Sequence, residues 1–449
     1  MCSAIAVADI IFDLRSVKLG DDMKNRSARR DRRGPRSSFE DLQETEQDGG
    51  PRHLRQPEGH GGEHGEEVPE LTRWRYWLRR IVAVLCVLLV LMTPVWISLG
   101  SALGDQSLGP SLAARAAEWT RNHGGSGFVR WIENEWYSHH APKVGGAPPK
   151  GAIPAQTRIE QITGGKGILP TPKSITPFAL PAISGEGDWH PIGRTVNGIP
   201  TMYETFMRPD PIHTSVVDGV VWMDTKLLNM RLYSGSYIPG GGPYKYTAPI
   251  SSTASKSLVA AFNAGFREQD AQGGYYTDGH VILPLRVGAA ALVIYKDGSA
   301  NVVNWGRDAK MNKNVVSVRQ NLNLLVDHGK SVTGLNPNDT SQWGYTLGNQ
   351  VYVWRSGIGI TKNGALVFVG GPGLNITTLA NLLVRAGAIR AMELDINVAW
   401  VNFSFFKPST PHGAATGTNG TNLLPGMAYQ PLHYFESSWS RDFFTVSAR

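Results

Sequence analysis

The stretch Val351-Tyr352-Val353-Trp354-Arg355-Ser356-Gly357-Ile358-Gly359-Ile360-Thr361-Lys362-Asn363-Gly364-Ala365-Leu366-Val367-Phe368-Val369 decides how this chain is built. Two β-prone runs flank Lys362-Asn363-Gly364, and an Asn-Gly pair supplies the left-handed backbone that a tight hairpin turn demands. Side chains two apart on a strand share a face. Arg355, Gly357 and Gly359 therefore lie on one side, and Trp354, Ser356, Ile358 and Ile360 on the other. The spacing sets a guanidinium, a planar fork of donors suited to phosphate or carboxylate, beside a floor without side chains where a ligand has room.

Beyond the hairpin, residues 377–386 put Leu379, Leu382, Leu383 and Ala386 on one helical face, with Thr377 or Thr378 as cap and Gly387 as terminator. That helix delivers the chain to residues 388–406, which read as a strand running into aromatics. Ala391, Glu393, Asp395 and Asn397 take one face of it and Met392, Leu394 and Ile396 the other. Two carboxylates in apolar surroundings need cations, hydrogen bonds or a shared proton to be tolerated.

Towards the N-terminus, short β-prone runs at 216–223, 227–233, 257–262, 281–286, 291–295 and 302–305 are divided by Gly, Asp-Gly and Pro signals, and Lys296-Asp297-Gly298 reads as another hairpin turn. The expected fold is α+β over residues 185–449, mostly antiparallel β-sheet with a few packed helices. Asn263 and Gly265, in Phe262-Asn263-Ala264-Gly265-Phe266, offer an amide and a close backbone approach at a strand end. Arg319 precedes a polar pair, and His328, just before Gly329, is the best placed of the 12 histidines to act as acid or base.

Residues 81–99 form a 19-residue run without charge, long enough to cross a hydrocarbon core. Arg73, Arg75, Arg79 and Arg80 crowd its N-terminal side with Trp74, Tyr76 and Trp77, so the expected topology is one transmembrane helix with the N-terminus cytoplasmic. The run is long for a signal peptide and has 80 residues before it, which favours an uncleaved anchor. Residues 1–72 are expected to be a disordered tail, 73–100 the anchor with its basic-aromatic flank, and 101–184 a helical and Pro/Gly-rich spacer. Within the spacer, 111–121 and 128–137 have helical spacing.

Residues 1–80 hold 15 basic and 15 acidic side chains, so the formal +7 belongs wholly to the remainder, with 29 and 22. A basic ectodomain suits an anionic envelope surface or substrate, and nucleic acid is not an expected partner there. Cys2 and Cys86 are the two cysteines, which leaves the outer region without a disulfide or a thiolate nucleophile. The chain has no HExxH, Walker loop or GxSxG elbow, and Gly370-Gly371-Pro372-Gly373 lacks dinucleotide-loop spacing. No cofactor and no metal are expected.

Asn263-Ala264-Gly265-Phe266, then Arg355-Ser356-Gly357-Ile358-Gly359, then a helix leading through Gly387-Ala388 to Leu394-Asp395, resembles the phosphodiester glycosidase family, in order over roughly residues 255–406. The family usually shows Asn-Gly-Gly-Phe, Arg-Thr and Asn-Leu-Asp-Gly-Gly-Gly-Ser at these places. Ala264, Ser356, Glu393 and Ile396-Asn397 are departures; the lost glycines at 264 and 396–397 narrow the expected pocket, and a changed acceptor or substrate is expected. The anchored architecture, with Trp119, Trp131 and Trp136 after the span, looks like the family's actinobacterial branch, a plasma-membrane protein with its C-terminal domain extracytoplasmic.

By that resemblance Asn263, Arg355 and Asp395 carry over, and the implied activity is hydrolysis at an anomeric centre whose leaving group is a phosphate ester, in an envelope glycan or sugar phosphodiester. Asp395 is assigned to the sugar side and Arg355 to the phosphate, with Glu393 as acid or base. Asn263, Gly265, Ser356, Gly357, Asn397, Arg319 and His328 complete the expected binding set. The competing expectation is a non-catalytic module that binds an anionic glycan on the same fold.

Overall fold

The computed structural model describes residues 70–449, apart from 106–107, 110, 130, 133–141, 155–161, 166, 269, 345–350, 438 and 440. Residues 1–69, with nearly all of the expected tail, and Trp136 with the end of the 128–137 helix lie outside the described residues. The chain divides into two compact units at Gly100/Ser101.

In the first unit the expected single helix is corrected. Glu70–Leu91 and Thr93–Gly104 are separate helices bent by 48°, and no single described helix is long and apolar enough to cross a membrane, although the bent pair is by length and composition. Pro94 explains the break, since it lacks an N–H and its ring clashes with the carbonyl four residues back. The Thr93 hydroxyl donates to Leu89 O at 3.2 Å beside the bend.

In the second unit the helix Leu112–Thr120 is capped by the Ser111 side chain, which accepts from Ala114 N–H. Ahead of residue 185, Leu169 and Ile175 are buried with Trp189, and the Trp189 indole donates to Lys173 O at 2.9 Å.

An eight-stranded antiparallel sheet runs in the order His190–Val196, Ile199–Met207, Asp218–Met223, Leu366–Leu374, Val353–Thr361, Ala388–Glu393, Leu324–Asp327, Lys330–Ser331. Its centre is the hairpin expected from Asn363-Gly364, in register from Arg355↔Gly371 to Ile360↔Leu366, with a shift of register between Val353 and Arg355. One face packs on the Ile376–Arg385 helix, whose Leu379, Leu382 and Leu383 are fully buried with Val367, Val369 and Ala391. Each leucine contributes about 2 kcal/mol by leaving water. The helix is capped by Asn375 rather than by Thr377 or Thr378, in a reciprocal box with Thr378, and Gly387 at φ +93 ends it as expected. The opposite face carries Ile358, Phe368, Met392 and Leu394.

Those residues meet the inner face of a five-stranded sheet in the order Gly420–Asn422, Phe403–Phe406, Leu258–Asn263, Phe443–Ala448, Leu228–Tyr233. Phe262 stacks on Phe403 at 5.4 Å, and Phe368 lies 4.9 Å from Phe403. A second five-stranded sheet is ordered His280–Leu283, Tyr275–Thr277, Val315–Gln320, Ala290–Tyr295, Ala300–Asn304.

One further correction positions the site. Residues 388–406 are two strands: Ala388–Glu393 ends at the first carboxylate, and Phe403–Phe406 belongs to the neighbouring sheet. Asn397 makes the turn between them, its side chain accepting from Ala399 N–H at 2.9 Å while its carbonyl accepts from Trp400 N–H at 2.8 Å. An asparagine that bonds its own backbone two residues on is a turn former, and here it overrides strand propensity.

Candidate active site

Gly357 pairs with Glu393 across the two central strands, so Arg355 and Glu393 emerge on the same helix-covered side. Arg355 Nη1 donates to Glu393 Oε1 and, at 3.4 Å, to Trp343 O, while Nε donates to Leu374 O at 3.1 Å. Glu393 is fully buried, and its Oε2 has no hydrogen-bond partner. Burial pushes its pKa from the ordinary 4.5 up to about 7 against the pull of Arg355, and the charge of Asp395 adds to the rise.

Two residues on, the chain leaves the strand while its backbone stays tied to Ser356, with Ser356 N–H donating to Asp395 O at 2.8 Å and Leu394 N–H to Ser356 O at 2.8 Å. The Ser356 hydroxyl accepts from Asp395 N–H at 3.1 Å and from Asn263 Nδ2 at 3.0 Å. Asn263 Oδ1 in turn accepts from Asn402 N–H at 3.0 Å. Asp395 Oδ2 accepts from Arg441 Nη2 at 2.9 Å, and Oδ1 from Asn397 N–H at 3.0 Å. Burial raises the Asp395 pKa, while Arg441 and the backbone donors of Asn397 and Ile396 pull against it.

The structure thus gathers Asn263, Gly265, Arg355, Ser356, Glu393, Asp395 and Asn397. Gly265 contributes its carbonyl to Arg441 Nη2 at 2.8 Å. Three expected binding residues fall elsewhere. A Cβ on Gly357 would meet Met392 O, Leu383 and Leu379 at 3.0–3.2 Å, so helix leucines, not a ligand, fill the floor that the glycines leave open. Arg319 is buried one layer away, donating to Asp442 Oδ2 at 2.6 Å and to Phe266 O, where it braces the Asn263–Phe266 segment. His328, with its side chain 86% exposed, lies in the turn between Leu324–Asp327 and Lys330–Ser331. Its neighbour Gly329 bonds Ile389 O, which places the turn at the far end of the Ala388–Glu393 strand from Glu393.

Sequence reasoning missed Arg441 and Trp343, and it noted Asn321 beside Arg319 without giving it a role. Asn321 Nδ2 clamps Glu393 O and Leu394 O at 2.9 Å each, and its Oδ1 accepts from Phe266 N–H at 3.2 Å. Trp343 is buried with its indole nitrogen unpartnered. A charged Arg441-Asp442 pair opening the apolar Phe443–Val446 run was the available signal, since charge entering a buried strand needs a partner. Among the described residues no group of three or more His, Cys, Asp or Glu side chains is arranged to hold a metal ion.

A comparison with protein families matches residues 256–395 to the family described as phosphodiester glycosidase. A comparison with curated proteins finds no match. Among solved structures, the catalytic domain of zebrafish N-acetylglucosamine-1-phosphodiester alpha-N-acetylglucosaminidase, auto-inhibited by its pro-peptide, is similar at 14% identity, covering 58% of this chain and 88% of that one with a TM-score of 0.37. A hypothetical protein from Synechocystis is similar at 14% identity, covering 58% of this chain and 64% of that one with a TM-score of 0.33. The span from 256 to 395, which contains Asn263, Arg355, Glu393 and Asp395 but not Arg441, is the part of the chain that matches the phosphodiester glycosidase family.

Proposed function

We propose that this protein hydrolyses the bond between a sugar and a phosphate ester in an anionic glycan or glycoconjugate of the cell envelope. The observation that carries the reading is the pair of buried carboxylates two residues apart, each held by its own arginine, inside the matched span. Breaking a glycosyl phosphate bond develops positive charge on the sugar and negative charge on the departing phosphate, so the site needs an ionised carboxylate and a proton or cation at opposite ends. Asp395, where Arg441 and two N–H donors oppose the rise that burial imposes, is assigned the ionised role facing the sugar. Glu393, with a pKa of about 7, is the one that keeps or passes a proton near neutral pH. Arg355 supplies positive charge on the phosphate side, and Asn263, Ser356 and Asn397 fix the geometry.

The bent helical pair from Arg73 to Gly104 is the proposed membrane anchor. Its hydrophobic side chains from Ile81 to Ile97 are exposed, as a lipid-facing surface requires, and the four preceding arginines favour a cytoplasmic N-terminus with the domain outside the plasma membrane. Protease added to intact cells should digest the region after residue 100; protection of that region would overturn the location.

Turnover decides the activity. The full chain in detergent, given a polymer of sugars joined through phosphodiesters, should release reducing sugar, whereas retention of the polymer with no release would identify a non-catalytic glycan-binding module. One observation favours that second reading: Ile396, where the family more often has glycine, packs with Phe266 beside the site, as it does in the small cluster with Ala271 and Leu322.

A further inference from the structure

Arg441 approaches the site from the C-terminal strand, outside the matched span, and its hydrogen bonding is incomplete. Nη2 is shared between Asp395 Oδ2 at 2.9 Å and Gly265 O at 2.8 Å. The Trp400 ring lies against the guanidinium at 4.9 Å, covering one of its faces. Nε is buried and has no hydrogen-bond partner. Leaving a buried charged donor unmade is among the costlier things a fold can do, and such an atom persists where something outside the fold completes it.

An unmade acceptor belongs to the same group of charges. Glu268 Oε1 is buried and unpartnered, and the Glu268 carboxyl is raised by burial while feeling Arg319, Asp442 and Arg441. A phosphate would satisfy the Arg441 donor but would be repelled by Asp395, Asp442 and Glu268. A hydroxyl accepts and donates at once, and an indole beside it suits the apolar face of a sugar ring. We propose that Arg441, Trp400 and Glu268 form a saccharide subsite beside Asp395, in which Arg441 Nε–H donates to a sugar hydroxyl oxygen and Glu268 accepts a sugar hydroxyl proton. The subsite rests on the proposed function only for its place in the reaction, on the sugar side of the scissile bond, and it assigns the phosphate side to Arg355 by elimination.

The test follows the arginine Nε–H signals of the full chain in detergent by nitrogen-15 NMR, the Arg441 signal being the one absent from Arg441→Lys. Glucose, N-acetylglucosamine and, as a polyol control, glycerol are titrated in. The expected result is a saturable shift of the Arg441 signal with at least one saccharide, with affinity lowered about tenfold in Glu268→Gln, the size expected for one hydrogen bond to a charged group. A signal unmoved by either saccharide overturns the subsite, and an equal shift with glycerol overturns its assignment to a sugar. Should Arg441→Lys fail to fold, Glu268→Gln, altered at a half-buried position, carries the comparison alone: unchanged saccharide affinity in it overturns the role of Glu268. A saccharide-dependent shift in a protein that cleaves no sugar phosphodiester leaves the subsite standing and rejects the hydrolase reading, so the two failures are distinguishable.

Discussion

Two arginine–carboxylate pairs lie side by side in this domain and differ in how completely they are satisfied. Arg355 is anchored by Leu374 O, Trp343 O and Glu393, yet Glu393 has one partner and one bare oxygen. Asp395 has a donor on each oxygen, Arg441 on one and Asn397 N–H on the other, yet Arg441 keeps a bare Nε. In the first pair the buried oxygen without a partner is on the anion; in the second the buried nitrogen without a partner is on the cation. Carboxylates that accept several donors favour the charged form and those facing desolvation alone favour the neutral one. Burial raises both carboxyls, with Arg441 and two backbone donors opposing the rise at Asp395 and Arg355 alone opposing it at Glu393, and the proposed function assigns the anion's role to the first and the proton carrier's to the second.

The change that breaks this comparison most severely is Asp395→Asn. It removes the anion, and turnover of a sugar phosphodiester is expected to fall by a factor of about 100 or more, the scale of losing a positioned acid–base or charge-stabilising group. Arg441 also loses its counterion while buried, so the melting temperature should drop, consistent with the ~3 kcal/mol typical of a buried pair that loses one member. Full activity per folded molecule would make Asp395 a structural partner of Arg441.

Glu393→Gln sharpens the comparison through pH. The folded protein holds the Glu393 proton up to about pH 7, whereas the unfolded chain releases it near 4.5. Between these values the native state binds more protons than the unfolded state, so the contribution of Glu393 to stability falls as pH rises through the window. Melting temperatures measured from pH 4.5 to 7.5 should decline more steeply in the wild-type protein than in Glu393→Gln, and the basic limb of the rate profile should disappear in the variant. Parallel melting curves would show that Arg355 keeps Glu393 ionised throughout.

What could be read from sequence follows the range of the interactions involved. The central hairpin, the Gly387 helix stop and the apolar face of Leu379, Leu382 and Leu383 rest on neighbours within a turn or two, and all were legible. The gathering of Asn263, Arg355, Glu393 and Asp395 was legible as motifs in order, although not their hydrogen bonds. The partner of Arg441 was not legible, even though its charge at the start of an apolar run called for one, because it reaches Asp395 only after Phe443–Ala448 pairs with Leu258–Asn263, a contact set by sheet order and not by local pattern. The bend at Pro94 and the turn at Asn397 were misread for one reason: apolar content was allowed to outweigh a single residue with a strong backbone preference.

Gly357→Ala probes the helix-covered floor beside Glu393. Its new methyl would press on Met392 O, Leu383 and Leu379 at 3.0–3.2 Å, all belonging to a packed core rather than to an open surface. The expected cost is about 1–3 kcal/mol of stability by overpacking. Saccharide affinity and KM should stay within about twofold at a temperature where the variant is folded, since the new methyl points into the helix leucines and not toward Asp395 or Arg441. A selective rise in KM without loss of stability would return Gly357 to the ligand.

The smallest effect is expected at His328, which lies outside both pairs and so calibrates them. Its side chain is 86% exposed, its nearest ionic neighbour is Asp327 at 3.9 Å, and Asp327 is already committed to Arg307 at 2.6 Å. An exposed side chain with no partner of its own contributes within about 0.5 kcal/mol. His328→Ala should therefore leave both the melting temperature and the pH–rate profile unchanged. His328→Gly should be neutral or slightly stabilising, because the residue sits at φ +50, where a Cβ is a burden that glycine lacks. A shift in the acidic or basic limb of the profile in either variant would mean that a histidine at the far end of the strand takes part in proton transfer, and the division of labour between Glu393 and Asp395 would then have to be redrawn.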